Sequence, residues 1–369
     1  MQNVLQTGLS AGMSAVAGYH SSKPTPAPPE YDGKGLVDES YTPEAKSRIT
    51  VPTQNLTEPV KVSPICIGAW PWGDTATWHW KEEEFPVVQA AWKALYDAGI
   101  HFIDTAEVYA NGYSEELVGR LVKGLPRESF VIQTKWFGSA LKPGSFLHPV
   151  DAPLRAIQGS LERMGLEYID IYLVHGPIHV QGIDSVAKGL AKIVEQGLAK
   201  AVGVANYDPE DVVHMKKALE KYGVPLAVNQ VEYSVLRRWP EIHGNISTCK
   251  ENGVVFQGYS SLAQGRLTGK YTPENSPPRS YKFSSYPMED VMPVVETLRR
   301  IGDKYGKGPA SVALNWSIVK GCVPLVGIRT PEQAQEAIDA LGWRLTPQEV
   351  VEIDRVSFEG KRTVTWQQG

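Results

Sequence analysis

The sequence predicts an α/β fold, a (β/α)8 TIM barrel with a flexible N-terminal extension. Short apolar runs rich in β-branched residues alternate eight times with longer segments of helical period. The runs are apolar almost throughout, as in parallel strands that are buried on both faces. Most of the helical segments end in Gly, as helix C-termini often do. A doubly wound open sheet is the alternative, but no G-x-G-x-x-G motif follows the first strand to favour it.

The predicted elements follow one another from residue 64 onward. The predicted strands span residues 64–70, 100–104, 130–135, 169–175, 199–206, 226–230, 253–259 and 322–327. The predicted helices span residues 86–99, 114–124, 153–165, 185–197, 209–223, 241–253, 308–321 and 331–342. Because strand and helix alternate in this order, the barrel is favoured over a sandwich or a helical bundle.

The N-terminal segment differs in composition from the rest of the chain. Residues 1–29 contain no Asp or Glu, are rich in Ser, Ala and Gly, and end in several prolines. We therefore expect residues 1–50 to form a disordered extension and residues 51–369 to form the barrel domain. A cytoplasmic location is predicted. The alternative is an organelle such as a plastid, if residues 1–30 act as a transit peptide, although such peptides favour Arg and only Lys23 is basic here.

Charge and cysteine content narrow the class of partner. The formal net charge is -4, with no block of Lys and Arg, so neither nucleic acid nor a membrane surface is predicted as a partner. No uncharged apolar run approaches the roughly 18 residues that a membrane span needs. The cysteines Cys66, Cys249 and Cys322 are too few for a disulfide framework. A small-molecule substrate is expected, and no protein partner is identified.

Polar residues stand where the predicted strands end. In a (β/α)8 barrel the functional side chains lie at the C-terminal ends of the strands. The residues at these ends are Asp104, Lys135, His175, Asn206, Asn229, Gln230, Tyr259, Ser260, Gly327 and Arg329. Agreement across seven strand ends is hard to obtain from solvation alone, so this rim is predicted to be the active face.

Three of these residues and a nearby tyrosine suggest acid catalysis. Tyr109 follows Asp104 in the turn after the second strand, and a free tyrosine, with a pKa of ~10, is a reluctant proton donor. A nearby Lys135 would lower the pKa of the phenol, Asp104 would hold the lysine charged, and His175 would orient a carbonyl oxygen. The predicted reaction is carbonyl reduction. A structural ion pair between Asp104 and Lys135 is the alternative interpretation.

The same residues carry a resemblance to the aldo-keto reductases that covers roughly residues 60–357. FIDTAEVYANGYSEELVG resembles the family's second-strand signature, VIQTKW carries the family lysine and IDIYLVHGP the family histidine. The resemblance implies that Asp104, Tyr109, Lys135 and His175 are the catalytic tetrad. No metal is predicted, because no HExxH motif or paired His/Cys spacing occurs.

The resemblance also implies a nicotinamide cofactor site. GVANY and VNQVEYS supply Asn206 and Gln230 for the nicotinamide carboxamide, and QGYSSLAQGRLTGKY is similar to a family segment in which Tyr259 stacks under the nicotinamide ring. LVGIRTPEQAQEA is similar to the segment that binds the adenosine 2′-phosphate, so NADPH is favoured over NADH. The implied cofactor-binding residues are Trp70, Asn206, Gln230, Tyr259, Ser260, Leu262, Gly265, Gly327, Arg329, Thr330, Gln333 and Glu336. The departures from the family pattern are Ala337 for the common Asn, Ser261 for Pro and Arg266 for Leu.

The sequence predicts the substrate less specifically than the cofactor. Trp70, Trp72, Trp78 and Trp80 follow the first strand, and Trp136 follows the catalytic lysine, so an aromatic or apolar aldehyde or ketone is expected unless these rings only pack the loop. Residues 263–292 are predicted as a long loop that closes over the cofactor.

Two other functional classes share the barrel. The first is a nucleotide-binding regulatory subunit with slow turnover, as the potassium-channel β subunits of the family are. The second is a lyase or aldolase that uses Lys135 as a Schiff base, which is disfavoured because Asp104 would keep the amine protonated.

Overall fold

Eight parallel strands close into a barrel in chain order, and the last strand pairs with the first. The computed structural model describes residues 41–54, 58–138, 150–179, 182–278, 280–281, 283–363, 367 and 369. In chain order the strands are β1 (Ile49–Val51), β2 (Val60–Val62), β3 (Cys66–Gly68), β4 (Phe102–Asp104), β5 (Val131–Trp136), β6 (Ile169–Val174), β7 (Ala199–Ala205), β8 (Leu226–Glu232), β9 (Val255–Tyr259) and β10 (Val323–Gly327). Strands β3 to β10 form the barrel, and each overlaps a predicted strand. The predicted fold class is confirmed.

Helices form the outer layer of the barrel. They are α1 (Phe85–Ala98), α2 (Tyr113–Val122), α3 (Ala152–Met164), α4 (Ile183–Glu195), α5 (Pro209–Glu220), α6 (Trp239–Ile242), α7 (Asn245–Glu251), α8 (Met288–Tyr305), α9 (Pro309–Val319), α10 (Pro331–Ile338) and α11 (Pro347–Val356). Within the described ranges, no helix is both long enough and apolar enough to cross a membrane.

Two predictions about the helices are corrected by the structure. The predicted helix 241–253 is two short helices, α6 and α7, because Gly244 between them has a left-handed φ of 85°. The predicted loop 263–292 contains a 3-10 segment, Ala263–Thr268, and ends inside α8. Helix α8 forms despite Pro293 because one of its faces is buried, including Val294 and Leu298.

A hairpin that was not predicted covers the N-terminal end of the barrel. Strands β1 and β2 pair antiparallel, and Val51 and Val62 are fully buried in a cluster with Phe102 at the bottom of the barrel. The backbone carbonyl of Pro43 accepts a hydrogen bond from the Gly342 N–H at 2.8 Å. The predicted domain boundary at residue 50 therefore falls inside β1, and residues 1–40 of the predicted extension lie outside the described residues.

A buried cluster of charges joins α6, α9 and α11. Lys320 Nζ lies 2.6 Å from Glu241 Oε1 and 2.7 Å from Asp354 Oδ2, and Arg238 Nη2 lies 2.9 Å from Glu241 Oε1. Lys320 also lies over the Trp316 ring at 4.7 Å. Burial would raise the pKa of Glu241, but Lys320 and Arg238 outweigh it and lower the pKa to about 2. The Glu241 carboxyl is therefore ionised at neutral pH, and the cluster depends on every partner being present.

Candidate active site

Asp104, Lys135 and Tyr109 meet at the carboxyl rim of the barrel. Asp104 ends β4 and Lys135 lies near the end of the neighbouring β5, so both side chains reach the same edge. Lys135 Nζ is fully buried and donates to Asp104 Oδ2 at 2.5 Å, to the Thr105 carbonyl at 2.8 Å and to the Tyr109 hydroxyl at 3.3 Å. One ammonium group therefore connects the predicted acid to the predicted anchor.

The turn after Tyr109 has an unusual backbone. Ala110, Asn111 and Gly112 all adopt left-handed φ angles, of 48°, 56° and 90°. A Cβ atom at Gly112 would stand 2.6 Å from the Arg163 side chain, so only glycine fits there. Non-glycine residues in this region are strained, and such strain is concentrated at functional sites. The turn places the phenol over the barrel end, with the side chain almost fully buried.

His175 lies directly after β6 and faces Tyr109. Their ring centroids are 5.5 Å apart at an interplanar angle of 77°, and the Phe137 ring lies 6.0 Å from the imidazole on another side. Burial, and then the charge of Lys135, hold the pKa of His175 well below its usual value. The imidazole is therefore neutral at physiological pH and carries one N–H donor.

The direction of the Tyr109 pKa differs from the prediction. The sequence predicts that Lys135 lowers the pKa of Tyr109, but in the structure burial and the negative charge of Asp104 raise it well above its usual value. Burial also lowers the pKa of Lys135, against the opposing effect of Asp104. The phenol therefore stays protonated at rest and acts as a donor only toward a strong base.

Three glutamines lie beneath Asp104 inside the barrel. Gln133 Nε2 and Gln230 Nε2 both donate to Asp104 Oδ1, at 2.6 and 3.1 Å, and both also reach Gln257 Oε1. The amide nitrogen of Gln230, predicted to bind the carboxamide, is therefore already engaged, although the residue lines the groove. Gln133 and Gln257 were not predicted as site residues, because their contact joins positions 124 residues apart.

A groove with a cavity volume of about 350 Å³ runs along the rim. The predicted site residues that line it are Trp70, Asp104, Tyr109, His175, Asn206, Gln230, Tyr259, Ser260, Leu262, Gly265, Gly327, Arg329, Gln333 and Glu336. Lys135 lies beneath the groove, and Thr330 does not line it but accepts a hydrogen bond from the Gln333 N–H at the start of α10. Lining residues that were not predicted include Gln264, Thr268, Lys270, Tyr281, Phe283 and Glu332. Of these, Gln264, Thr268 and Lys270 stood in the quoted segment QGYSSLAQGRLTGKY and Glu332 in LVGIRTPEQAQEA, whereas Tyr281 and Phe283 stood in neither.

Tyr259 and Asn206 are fixed to one another. The Tyr259 hydroxyl donates to Asn206 Oδ1 at 3.0 Å, and Asn206 Nδ2 donates to the His175 carbonyl at 3.2 Å. Asn206 and Ser260 are non-glycine residues with left-handed φ angles of 64° and 53°. The hydrogen bonds and the strained backbone together hold these side chains at the edge of the groove.

Aromatic rings form one wall of the groove. Trp70 lies 6.3 Å from Tyr109, 5.4 Å from Trp78 and 5.7 Å from Phe283, measured between ring centroids. Trp78 in turn lies 4.6 Å from Tyr281. Trp70, predicted as a cofactor residue, thus stands next to the predicted acid.

Three of the five tryptophans named from the sequence only pack. Trp72, Trp80 and Trp136 are almost fully buried, and Trp72 Nε1 donates to the Ile328 carbonyl at 2.7 Å. These three rings are therefore buried packing residues, whereas Trp70 and Trp78 line the groove.

Two of the departures from the family pattern have structural roles. Arg266 is buried and donates to the carbonyls of Tyr281 at 3.2 Å and Phe283 at 3.4 Å, so it holds the segment that carries both rings. The Ser261 hydroxyl donates to the Gly258 carbonyl at 2.7 Å. Nothing in the structure explains the Ala at position 337, which lines the groove.

Arg329, the predicted phosphate-binding residue, is engaged by an acid. Its guanidinium forms an ion pair with Glu84 and donates through Nη1 to the Trp78 carbonyl at 3.1 Å. The backbone N–H of Arg329 donates to Gln333 Oε1 at 2.7 Å. Among the described residues, no group of three or more His, Cys, Asp or Glu side chains is arranged to hold a metal ion.

The fold and the site together define a class of protein, an oxidoreductase built on a (β/α)8 barrel. The model of the "Aldo/keto reductase family" matches residues 64–357. The chain therefore belongs to the aldo/keto reductase family, whose members are oxidoreductases that use a nicotinamide cofactor and whose general reaction is the NADP-dependent reduction of a carbonyl group.

Individual relatives agree with this assignment. The chloroplastic pyridoxal reductase of Arabidopsis thaliana is 32% identical over 322 residues, which cover 83% of this chain and 86% of the relative. The glycerol dehydrogenase of Gluconobacter oxydans superposes with a TM-score of 0.70 at 27% identity, over 83% of this chain and 94% of its own. An aldo/keto reductase of Klebsiella pneumoniae, solved with NADP and acetate, superposes with a TM-score of 0.64 at 25% identity, over 87% of this chain and 99% of its own.

Proposed function

We propose that this chain reduces an aromatic or apolar aldehyde or ketone with NADPH, and that Tyr109 is the general acid. The observation that carries the proposal is the buried ammonium group of Lys135, which bridges Asp104 and the Tyr109 hydroxyl at the foot of the groove. A structural ion pair alone would not require a phenol as its third member or a neutral imidazole facing that phenol.

The groove fits a nicotinamide dinucleotide in both shape and charge. Tyr259 offers an aromatic ring beside the amide of Asn206, and Lys270 and Arg329 supply cations for phosphate groups. A Cβ atom at Gly265 would stand 2.8 Å from the Lys270 side chain, so a small residue keeps this part of the groove open. These residues would hold the cofactor, and the Klebsiella relative was solved in complex with NADP.

The bound cofactor would supply a hydride to the carbonyl carbon. The chain's own residues supply the proton and stabilise the charge that its transfer leaves behind. Tyr109 donates its hydroxyl proton to the developing alkoxide, which is a far stronger base than a phenolate. Lys135 stabilises the phenolate that remains, and Asp104 keeps the ammonium in place. His175 donates an N–H hydrogen bond that orients the carbonyl oxygen.

The directions of the pKa shifts predict a flat pH profile for this mechanism. His175, with its lowered pKa, stays neutral, and Tyr109, with its raised pKa, stays protonated as the pH rises through neutrality. We expect kcat for reduction at saturating substrate and cofactor to change little between about pH 6 and about pH 8, and to fall at higher pH as Lys135, whose pKa is lowered by burial, loses its proton. An acid limb near pH ~6.5 would show that His175 titrates, and would contradict the proposed roles.

The aromatic wall supports an aromatic or apolar substrate. Trp70, Trp78 and Phe283 lie together beside Tyr109, where a carbonyl compound would stand. The Arabidopsis relative is a pyridoxal reductase, and pyridoxal is an aromatic aldehyde. Pyridoxal and benzaldehyde are therefore the first compounds to test, together with an unbranched aliphatic aldehyde of similar size.

The test is NADPH consumption by the full chain against these aldehydes. We expect kcat/KM to be about tenfold or more higher for the aromatic compounds, and Trp70→Leu to remove this advantage without abolishing turnover of the aliphatic one. Equal kcat/KM values for both groups would contradict the substrate class. NADPH binding without turnover of any carbonyl would contradict the enzyme role proposed for this site and favour the regulatory-subunit hypothesis.

A further inference from the structure

The guanidinium of Arg329 is held by a carboxylate from another part of the chain. Glu84 Oε2 accepts from Arg329 Nη2 and, at 3.1 Å, from Arg329 Nε, while Nη1 donates to the Trp78 carbonyl. Glu84 is itself fixed, since its Oε1 accepts from the Lys81 N–H at 3.3 Å. Both side chains of the pair are about three-quarters buried, with 25% and 28% exposure. A ligand phosphate that uses this guanidinium must therefore displace a fixed carboxylate.

The charges at this end of the groove do not favour a dianion. Among the described residues at this end, the cations are Lys270 and Arg329, and the carboxylates are Glu332 and Glu336 on the lining and Glu84 beside it. In this described set the acidic side chains outnumber the basic ones, and a 2′-phosphate adds about two further negative charges. The corresponding group of NADH is a neutral hydroxyl, which donates a hydrogen bond to a carboxylate and is not repelled by it.

We propose that Glu84 helps to determine the cofactor specificity of this chain. Because its carboxylate pairs with the Arg329 guanidinium, Glu84 reduces the preference for NADPH over NADH. The inference rests on the proposed function, in which Arg329 receives the 2′-phosphate. Without the carboxylate, the guanidinium fork is free to bind the phosphate in a bidentate manner. With the carboxylate in place, NADPH must break the Glu84–Arg329 ion pair to bind, and this cost makes its binding free energy less favourable.

The test is equilibrium binding of NADPH and NADH to the full chain, measured by titration calorimetry. In Glu84→Gln, which keeps the shape and the hydrogen-bonding oxygen but removes the charge, we expect the Kd for NADPH to fall about tenfold. The Kd for NADH should stay the same or rise. Glu83→Gln removes the same charge from the neighbouring exposed position, which has no contact with Arg329, and should leave both constants within about twofold of the wild type.

The same substitution in an Arg329 variant shows whether Glu84 acts through Arg329. In an Arg329→Gln chain, Glu84→Gln should no longer change the ratio of the two Kd values, because the competition has been removed. An unchanged ratio in Glu84→Gln, an equal shift for both cofactors, an equal effect of Glu83→Gln, or an effect that persists without Arg329 would each overturn the inference. If neither nucleotide binds the wild-type chain, the proposed function itself fails. If both bind with an unmoved ratio, only the role of Glu84 fails.

Discussion

Tyr109→Phe is expected to lower kcat for carbonyl reduction by about 10²–10⁴-fold while the Kd for NADPH stays unchanged. The substitution removes only the hydroxyl that Lys135 Nζ reaches at 3.3 Å, and the ring keeps its place between Trp70 and His175. Without that hydroxyl, the developing alkoxide has no proton donor on the side of the buried lysine. Steady-state rates and cofactor titration on the same preparation measure the two quantities.

Tyr113→Phe is the matched control for this prediction. Tyr113 begins the helix directly after the Tyr109 turn, and its hydroxyl donates to Glu82 at 2.5 Å near the surface. Loss of this hydroxyl should change kcat by less than about threefold, because removal of an exposed interaction costs little. If Tyr109→Phe keeps its turnover, or if both variants lose it equally, Tyr109 is not the acid.

Lys320→Met is expected to lower the free energy of unfolding by about 3–5 kcal/mol. Methionine fills a similar volume, but Glu241 and Asp354 are then left as buried carboxylates that share only Arg238 as a cation. The buried charges cannot be rehydrated without opening the contact between α6, α9 and α11. Urea denaturation followed by circular dichroism measures the loss, provided that unfolding is reversible.

Lys304→Met provides the comparison on the surface. Its ammonium group lies 3.2 Å from Glu349 Oε1, but the side chain is 52% exposed, so a change of at most about 1 kcal/mol is expected. Equal losses in the two variants would show that burial of the Lys320 cluster has no special effect. A loss in Lys320→Met that disappears when Glu241→Gln is added would identify the unpaired carboxylate as its source.

The barrel strands were predictable because their signal is local. A parallel strand buried on both faces is apolar along most of its length, as in Ile169–Val174, where Asp170 is the one charged residue, and this pattern is visible in the sequence of the strand alone. The predicted acid, anchor, lysine and histidine were found for a related reason, since each stands at or just after the end of such a strand. Their meeting at one rim follows from barrel closure alone.

The helices that were missed had local signals that conflicted with their environment. Pro293 lies inside α8 and the preceding stretch is rich in Pro and Ser, so the sequence indicates a loop there. The helix forms because burial of Val291, Leu298 and Ile301 outweighs the lost backbone hydrogen bond. Gly244 has the opposite effect, since it divides a predicted helix by adopting a conformation that few other residues tolerate.

The sequence by itself determined the fold, the family and the positions of the candidate catalytic residues, because each of these depends on local patterns. The tertiary structure decided which partners those residues have. It paired Glu84 with Arg329, which lies 245 positions away in the chain, and it placed Gln257 under Asp104. It also buried Trp72 but left Trp70 on the wall of the groove. Such contacts depend on which side chains the closed barrel and its loops bring together. The free energies of ion pairing and burial depend on these distant neighbours, so the local order of residues does not predict them.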